Sequence, residues 1–466
     1  MTELPPGPRA PKIVQALSFG RDPTRYLLQC AAAYGDMFTL RMPNDPPRVV
    51  LSNPVAVKKV FSLRPDAYRS DNLAIHLNLG SRSILFRDGE QHKQLRRLTA
   101  PSLQAKQVRG YADAMLEVTR ETVARWPTDT AFPLLPEMNR IALDVVLRCV
   151  FGVEGSERDA LRVQVLTWLQ GTLSPALFVT GMVVNAYRLR RVLDRAVDRA
   201  RTRLGRRPLL FRGLADAKVG ILAALQQRIE HCRHAPAGAH NNVLSLLVGA
   251  RYEDGSPLDD EDILDQLVTF LVGGHETTAN TLAWALSMIV RRPAVLARVQ
   301  AELYDHFGDG DIDASRAGEL SYLDACLKES MRLSPISPGP IRTLTQECQL
   351  PGYRLSPGTA VWASTYLTHR RADVWKNSDR FNPERFLEGA GPGAHEFFPF
   401  GGGARRCLGA LFAEFEMRIV LAEILHRFEL LPCADPPQAV FAGISMSPAD
   451  GVPVRTRRRD VAKPDA

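Results

Sequence analysis

The stretch Phe397–Gly409, FFPFGGGARRCLG, has the residue types that chemistry at a bound metal requires. Its one cysteine, Cys407, follows a glycine-rich run and directly precedes an apolar, helix-like stretch that starts at Ala410. A thiolate at the start of a helix is stabilised by the helix dipole and by free backbone N–H groups. Arg405 and Arg406 would add positive charge beside the sulfur. The sequence therefore favours a single cysteine ligand to a soft metal, and the alternative is a structural cysteine at a loop–helix junction.

The spacing within this stretch is more specific than its composition. The three glycines at 401–403 have no side chains, so the backbone there can approach a flat, bulky group closely. The pattern F-x-x-G-x-R-x-C-x-G is filled at all its fixed positions, by Phe400, Gly403, Arg405, Cys407 and Gly409. This pattern resembles the haem-binding loop of the cytochrome P450 superfamily. The resemblance implies haem b as cofactor, Cys407 as the iron ligand, and cofactor contacts from Phe400, Gly401, Arg405 and Gly409.

A second candidate site lies in the run GGHETT, residues 273–278, inside a predicted helix Asp259–Arg291. Two glycines inside a helix cost about 1 kcal/mol each relative to alanine, which a purely structural helix has little reason to accept. The acid and alcohol of Glu276 and Thr277 suit proton delivery to a ligand. The run resembles the superfamily's oxygen-activation motif, [AG]-G-x-[DE]-T-[ST]. His275 falls at the variable position and is not predicted to bind iron.

Positive side chains elsewhere resemble the superfamily's haem-propionate ligands. His92 and Arg96 are four residues apart in DGEQHKQLRR, so they share one face of a predicted helix. Alone they would indicate only a basic surface helix. The stretch resembles the family helix whose W/H-x-x-x-R pair binds the propionates, with histidine where many relatives have tryptophan. Arg342 follows the proline-broken SPISPGP and resembles an arginine that reaches a propionate.

Structural support for the cysteine loop is predicted from two further motifs. Glu329 and Arg332 form an E-x-x-R, which by itself is a weak signal because any helix can carry such an ion pair. Arg385 lies in FNPERF, which resembles the P-E-R-F motif whose arginine completes a network with that pair. His369 resembles either a propionate-side or a structural position.

Composition indicates an ordinary globular protein, and length alone would suggest two or three domains. The chain has 466 residues, 45% hydrophobic and 24% charged, and contains no internal repeat or linker. Its seven cysteines are odd in number and include no C-x-x-C, so a disulfide framework or zinc site is not expected. Neither a signal peptide nor a run long enough for a transmembrane anchor is present. We expect a cytoplasmic monomer.

The net charge of +8 is concentrated locally, with twelve Arg/Lys against three Asp between Arg188 and Arg228. Such a strip could face an anionic lipid or a nucleic acid, but a solvated helix face explains it more simply. No nucleic-acid-binding motif accompanies it, so no nucleic-acid partner is predicted.

The elements that position these residues are predicted from periodicity and turn signals. The helices outside the GGHETT segment are predicted over Pro23–Tyr34, Tyr111–Trp126, Met138–Phe151, Asn241–Arg251 and Leu320–Leu333. Strands are predicted at Asp36–Leu40, Arg48–Ser52 and within Gly352–Ser364, and Tyr68–Phe86 is predicted to be a loop. The resemblance implies a cytochrome P450 fold: mainly α, with a smaller β-rich lobe and haem between two central helices. It implies one catalytic domain over residues 1–466 without a fused reductase.

The implied activity is that of a haem-thiolate monooxygenase that activates O2 and hydroxylates or epoxidises a lipophilic small molecule, a terpenoid or a fatty acid. Specificity would lie in mainly apolar segments: Tyr68–Phe86, Leu173–Tyr187, the outer part of the long helix that contains GGHETT, Pro335–Thr343 and the region of Ile444. Electrons would come from a separate ferredoxin or flavodoxin with its reductase, docking near Lys93, Arg97, Arg405 and Arg406. The alternatives are a peroxide-using or non-oxygenating haem-thiolate enzyme, and a non-catalytic haem-binding sensor or carrier.

Overall fold

The computed structural model describes residues 4–70, 79–172, 186–201, 212–236, 241–389, 391–442 and 445–459. Its α-helices are α1 Lys12–Arg21, α2 Pro23–Tyr34, α3 Pro54–Phe61, α4 Gly89–Thr99, α5 Ala105–Arg109, α6 Ala112–Val123, α7 Leu134–Val145, α8 Gly155–Thr172, α9 Ala186–Arg201, α10 Arg212–His234, α11 Val243–Gly249, α12 Asp260–Val290, α13 Pro293–Phe307, α14 Ser321–Leu333, α15 Thr365–Thr368 and α16 Ala410–Arg427. Helices therefore dominate the described residues.

The strands are short and gather in small sheets. They are β1 Met37–Leu40, β2 Arg48–Leu51, β3 Tyr68–Ser70, β4 Ala131–Pro133, β5 Ile341–Leu344, β6 Cys348–Leu350, β7 Tyr353–Leu355, β8 Ala360–Ala363, β9 Phe428–Pro432, β10 Ala439–Ala442, β11 Ser445–Pro448 and β12 Pro453–Arg458. The largest sheet has the order β1-β2-β8-β5-β3, in which β2 and β8 are parallel and the other neighbours antiparallel.

This sheet brings two distant parts of the chain together. Val49 of β2 pairs with Val361 of β8, and Ser70 of β3 pairs with Arg342 of β5. Tyr68–Phe86 was predicted to be a loop, and that prediction is wrong at its start because Tyr68–Ser70 completes the sheet edge. The strand lacks the alternation that would have revealed it, and its partner lies more than 270 residues away in the chain.

The interior is built around α12. This helix starts with three acidic residues, Asp260, Glu261 and Asp262, which stabilise the positive end of its dipole. Most of its residues are buried, and it packs against α7, α14 and α16. Five successive residues after α7, Val146–Val150, form a π-helical turn that also packs on α12. The predicted helix Asp259–Arg291 is thus confirmed within a residue at each end.

The strands after α16 include partners of elements from much earlier in the sequence. Strand β12 pairs with β4 on one side and with β9 on the other, and the hairpin β10–β11 lies against α12. Among the described residues, no helix is both long and apolar enough to cross a bilayer. The predictions for residues 173–185 and for Ile444 fall outside the described residues.

Candidate active site

The cysteine loop is closed by its own backbone. The N–H of Cys407 donates to the carbonyl of Phe400 at 2.9 Å, and the N–H of Gly401 donates to the carbonyl of Phe398 at 2.9 Å. Burial raises the pKa of the Cys407 thiol, while a hydrogen bond from the Gly409 N–H and the nearby guanidinium groups act in the opposite direction. A bound metal cation would favour the thiolate further. Cys407 is nonetheless exposed as a residue, which leaves it accessible to a ligand.

Two glycines of the loop make a packing contact that the sequence did not predict. A Cβ atom on Gly402 would lie 2.2 Å from the ring of Phe61, and one on Gly403 would lie 2.1 Å from the Phe61 carbonyl oxygen. Gly403 also has a φ of +66°, which side chains rarely allow. The close contact with the end of α3 therefore requires glycine at both positions.

The predicted propionate ligands lie together. His92 and Arg342 are buried, and Arg405 is nearly so. Burial, followed by the charges of Arg405, Arg96 and Arg342, lowers the pKa of His92 to about 3, so the four groups are close enough to influence one another. Arg96 also lies near the Cys407 sulfur, whose charge opposes the effect of burial on the pKa of Arg96.

Sequence reasoning missed two members of this cluster. The Arg342 guanidinium lies over the ring of Tyr68, 4.2 Å from its centroid, and Arg405 forms an ion pair with Asp88 at 2.6 Å. Tyr68 is buried, and its presence opposes the lowering of the pKa of both arginines by burial. No motif marks Tyr68, whereas Asp88 was noticed only as the start of the predicted helix.

The cluster is suited to an anionic group. Its one ion-pairing carboxylate among the described residues is that of Asp88, against three guanidinium groups and an imidazole. Arg342 donates from Nη2 to the Gly402 carbonyl at 2.8 Å, but its buried Nε has no hydrogen-bond partner. Buried polar groups are normally paired, so an anion is expected here. Two haem propionates have the required charge and hydrogen-bonding capacity.

The two glycines of α12 also have separate roles. A Cβ atom on Gly273 would meet nothing within 4 Å, although this residue lies at the centre of an otherwise buried helix. A Cβ atom on Gly274 would come within 3.0 Å of Val146 in the π-helical turn. The first glycine faces an open space, and the second permits close packing. The Thr277 hydroxyl donates to the Gly273 carbonyl at 2.7 Å, which places Thr277 beside this opening.

His275 points away from the opening. Its ring is buried, and its Nδ1 lies 2.9 Å from the Leu271 carbonyl one turn earlier. Burial lowers the pKa of this histidine, which therefore stays neutral near pH 7. This placement agrees with the interpretation that it is not an iron ligand.

Comparison with known proteins decides the family. A family model described as Cytochrome P450 matches residues 4–450. The chain belongs to the cytochrome P450 family. Haem b is accordingly the cofactor of this P450, whose general activity is that of a haem-thiolate monooxygenase acting with O2 and a redox partner.

Several relatives of this P450 come from mycobacteria. It is 35% identical over 468 residues to "Putative cytochrome P450 135B1" of Mycobacterium tuberculosis, covering 98% of this chain and 93% of the relative. It is 32% identical over 461 residues to "Putative cytochrome P450 138" of Mycobacterium bovis, covering 98% and 97%.

Solved structures confirm the predicted fold, mainly α with a smaller β-rich lobe. The retinoic acid-bound cyanobacterial CYP120A1 has a TM-score of 0.81 at 23% identity, covering 98% of this chain and all of that one. The haem domain of cytochrome P450DA has a TM-score of 0.82 at 22% identity, with both chains fully covered. At these identities the likeness concerns the fold.

A buried charge network lies behind the cysteine loop of this P450. Arg332 makes two hydrogen bonds to Glu329, at 2.7 and 2.8 Å, and both side chains are fully buried. Arg385 donates to the same carboxylate at 3.2 Å. These three predicted structural residues are thus brought into one network.

The network reaches the cysteine loop through His369. Arg332 donates to the His369 carbonyl at 2.8 Å, and the His369 Nε2 accepts the backbone N–H of Phe398 at 2.9 Å. The imidazole also stacks on Phe397, with ring centroids 5.1 Å apart. Of the two positions that the sequence left open for His369, the structural one agrees with these contacts.

Proposed function

We propose that this P450 hydroxylates or epoxidises a lipophilic small molecule, a terpenoid or a fatty acid, and that it does so as a single catalytic domain in the cytoplasm. The observation that supports it best is the open space at Gly273, in the middle of a mostly buried helix and one turn before Thr277 of the acid–alcohol pair. When bound, the haem iron supplies O2 binding and the oxidation of the substrate. The seven cysteines are all free thiols, as in a reducing compartment.

The chain's own residues would then have three tasks. Cys407 would ligate the iron, with contacts to the haem from Phe400, Gly401 and Gly409. His92, Arg96, Arg342 and Arg405 would hold the propionates by charge and hydrogen bonds. Glu276 and Thr277 would order water and transfer protons towards the distal side, because a carboxyl group and a hydroxyl can each accept and donate a proton.

The lipophilic substrate is supported by the segment that precedes β5. Residues 335–341 include three prolines and two isoleucines, and all but Pro335 remain partly accessible. Apolar walls with few polar groups are typical of small-molecule pockets. Tyr68–Phe86, Leu173–Tyr187 and the region of Ile444 fall partly or wholly outside the described residues.

Optical titration of the purified ferric protein tests the substrate class. We expect fatty acids or terpenes to displace the distal water and produce a saturable low-to-high-spin shift, and a hydrophilic sugar to produce none. The absence of a shift with every apolar ligand, in protein whose ferrous–CO spectrum still indicates thiolate ligation, would contradict the proposed substrate class.

The electron donor is proposed to be an acidic ferredoxin or flavodoxin. Lys93, Arg97 and Arg406 are exposed on the cysteine side, which suits an acidic partner. Arg405 does not contribute to this surface, contrary to the prediction, because its side chain is turned inward to Asp88. Lys93 and Arg97 have exposed acidic neighbours, so their charges are only partly available.

Reversing these charges tests the docking surface. We expect Lys93→Glu/Arg97→Glu to slow reduction by a ferredoxin about tenfold at low salt, because steering by opposite charges is lost, and to flatten the salt dependence. Arg457→Glu is the matched control, since Arg457 also forms an exposed ion pair, with Asp129, but lies on β12. Equal reduction rates and equal salt dependence in both variants would refute the proposed surface.

A further inference from the structure

The carboxylate of Glu276 is held from outside its own helix. The hydroxyl of Ser445, the first residue of β11, donates to Glu276 Oε1 at 2.5 Å. Asn280, one turn after Glu276 on α12, donates from Nδ2 to the Ser445 hydroxyl oxygen at 3.1 Å. Ser445 and Asn280 are both buried. A short chain of buried hydrogen bonds therefore ends on the predicted proton-transfer acid.

The direction of this chain follows from the donors present. A serine hydroxyl has one hydrogen, which Ser445 gives to the carboxylate, so its oxygen is left to accept from another group. The Asn280 amide supplies that hydrogen and also donates to the backbone carbonyl of Glu276 at 2.9 Å. Asn280 thus fixes the serine, and the serine fixes the carboxylate.

The attachment of strand β11 to α12 does not depend on this chain of hydrogen bonds. The indole N–H of Trp284 donates to the Met446 carbonyl at 3.2 Å, and the Met446 N–H donates to the Ile336 carbonyl at 2.9 Å. Pairing with β10 holds β11 as well. The Ser445 hydroxyl is therefore not needed to attach β11 to α12, whereas the rotamer of the Glu276 side chain depends on it directly.

We propose that Ser445, supported by Asn280, is a positioning residue for proton delivery: it holds the Glu276 carboxylate in the orientation that serves Thr277 and the distal water. This inference rests on the proton-transfer role given to Glu276 and Thr277 in the proposed function. A mobile carboxylate would exchange protons with water at an undefined position, and reduced oxygen would leave as peroxide more often. Loss of the hydroxyl should then affect the coupling of electrons to product more than substrate binding.

The experiment compares Ser445→Ala with Ser447→Ala, which removes a buried hydroxyl two residues further along the same strand. In the holoenzyme, with its redox partner and a substrate that gives a spin shift, product and peroxide are measured per NADPH. We expect Ser445→Ala to lower product per NADPH about tenfold, with a matching rise in peroxide. The substrate dissociation constant and the unfolding temperature, within about 2 °C, should stay unchanged.

Two further readouts separate positioning from general damage. The C–O stretching frequency of the ferrous–CO complex reports distal polarity and should shift in Ser445→Ala but not in Ser447→Ala. Ser445→Thr, which keeps a hydroxyl, should have the coupling and the stretching frequency of the wild type. Asn280→Ala, which removes the donor to Ser445, should lower product per NADPH less than Ser445→Ala does.

Thr277→Ala is the reference for the proposed function itself, since it removes the alcohol of the relay. If Thr277→Ala uncouples the enzyme and Ser445→Ala does not, the positioning role is wrong and the proposed relay stands. If neither uncouples it, the relay fails together with the inference. Equal losses in Ser445→Ala and Ser447→Ala, accompanied by lower unfolding temperatures, would show that the hydroxyl is only structural.

Discussion

Replacing Cys407 with serine is expected to abolish the thiolate-type absorption band of the ferrous–CO complex and to reduce O2-dependent turnover by at least about a thousandfold, which corresponds to ~4 kcal/mol in the barrier. The physical reason is electron donation, because a cysteine thiolate favours O–O cleavage and a serine oxygen does so far less. The band is measured by difference spectroscopy, and turnover is measured with an excess of redox partner.

Cys433→Ser is the matched control for this substitution. Cys433 is also a free, exposed cysteine, but it follows α16 in the sequence, and its Sγ donates to the Leu431 carbonyl at 3.5 Å. Spectrum and turnover should both stay at the wild-type level in this variant. A thiolate-type band that survives in Cys407→Ser would show that another cysteine binds the iron.

The second large effect concerns stability. Glu329→Gln is expected to lower the free energy of unfolding by about 3–5 kcal/mol, because it leaves the fully buried Arg332 without a counter-charge. The cysteine loop should be destabilised as well, since Arg332 also donates to the carbonyl of His369, whose ring accepts the Phe398 N–H of the loop. Urea unfolding followed by circular dichroism measures the stability, and the haem content of the purified protein measures the effect on the loop.

Glu319→Gln provides the comparison at the surface. Arg316 and Glu319 are again an arginine and a glutamate three residues apart, at 2.9 Å, but both are exposed to solvent. An exposed pair of this kind contributes about 1 kcal/mol or less. If the two variants lost similar, small amounts of stability and kept equal haem content, the buried network would not support the cysteine loop.

The parts of the site that the sequence predicts are those whose signal is local. The cysteine loop is one run of thirteen residues, and His92 and Arg96 share one turn of a helix that periodicity identifies. The helix Pro23–Tyr34 was predicted to the residue because a proline starts it and a glycine, Gly35, follows it. Such signals depend on neighbouring residues, whatever the rest of the fold does.

The parts that sequence reasoning missed depend on contacts between distant segments. Nothing near Tyr68 shows that Arg342 will cover its ring, because β3 and β5 meet only in the folded sheet. Ser445 has no motif at all, and its importance follows from the position of Glu276. The glycines of the cysteine loop were noticed, but their partner is Phe61, more than 300 residues earlier.

The dependence of the cysteine loop on Phe61 has a consequence for biosynthesis. Gly402 and Gly403 fit against the end of α3, which is translated more than 300 residues before them. The binding loop can take up this packing only after it has met a segment that was made much earlier. Cofactor loading is therefore expected to follow the docking of the cysteine loop against α3, and a nascent chain whose cysteine loop is still inside the ribosome should not retain haem.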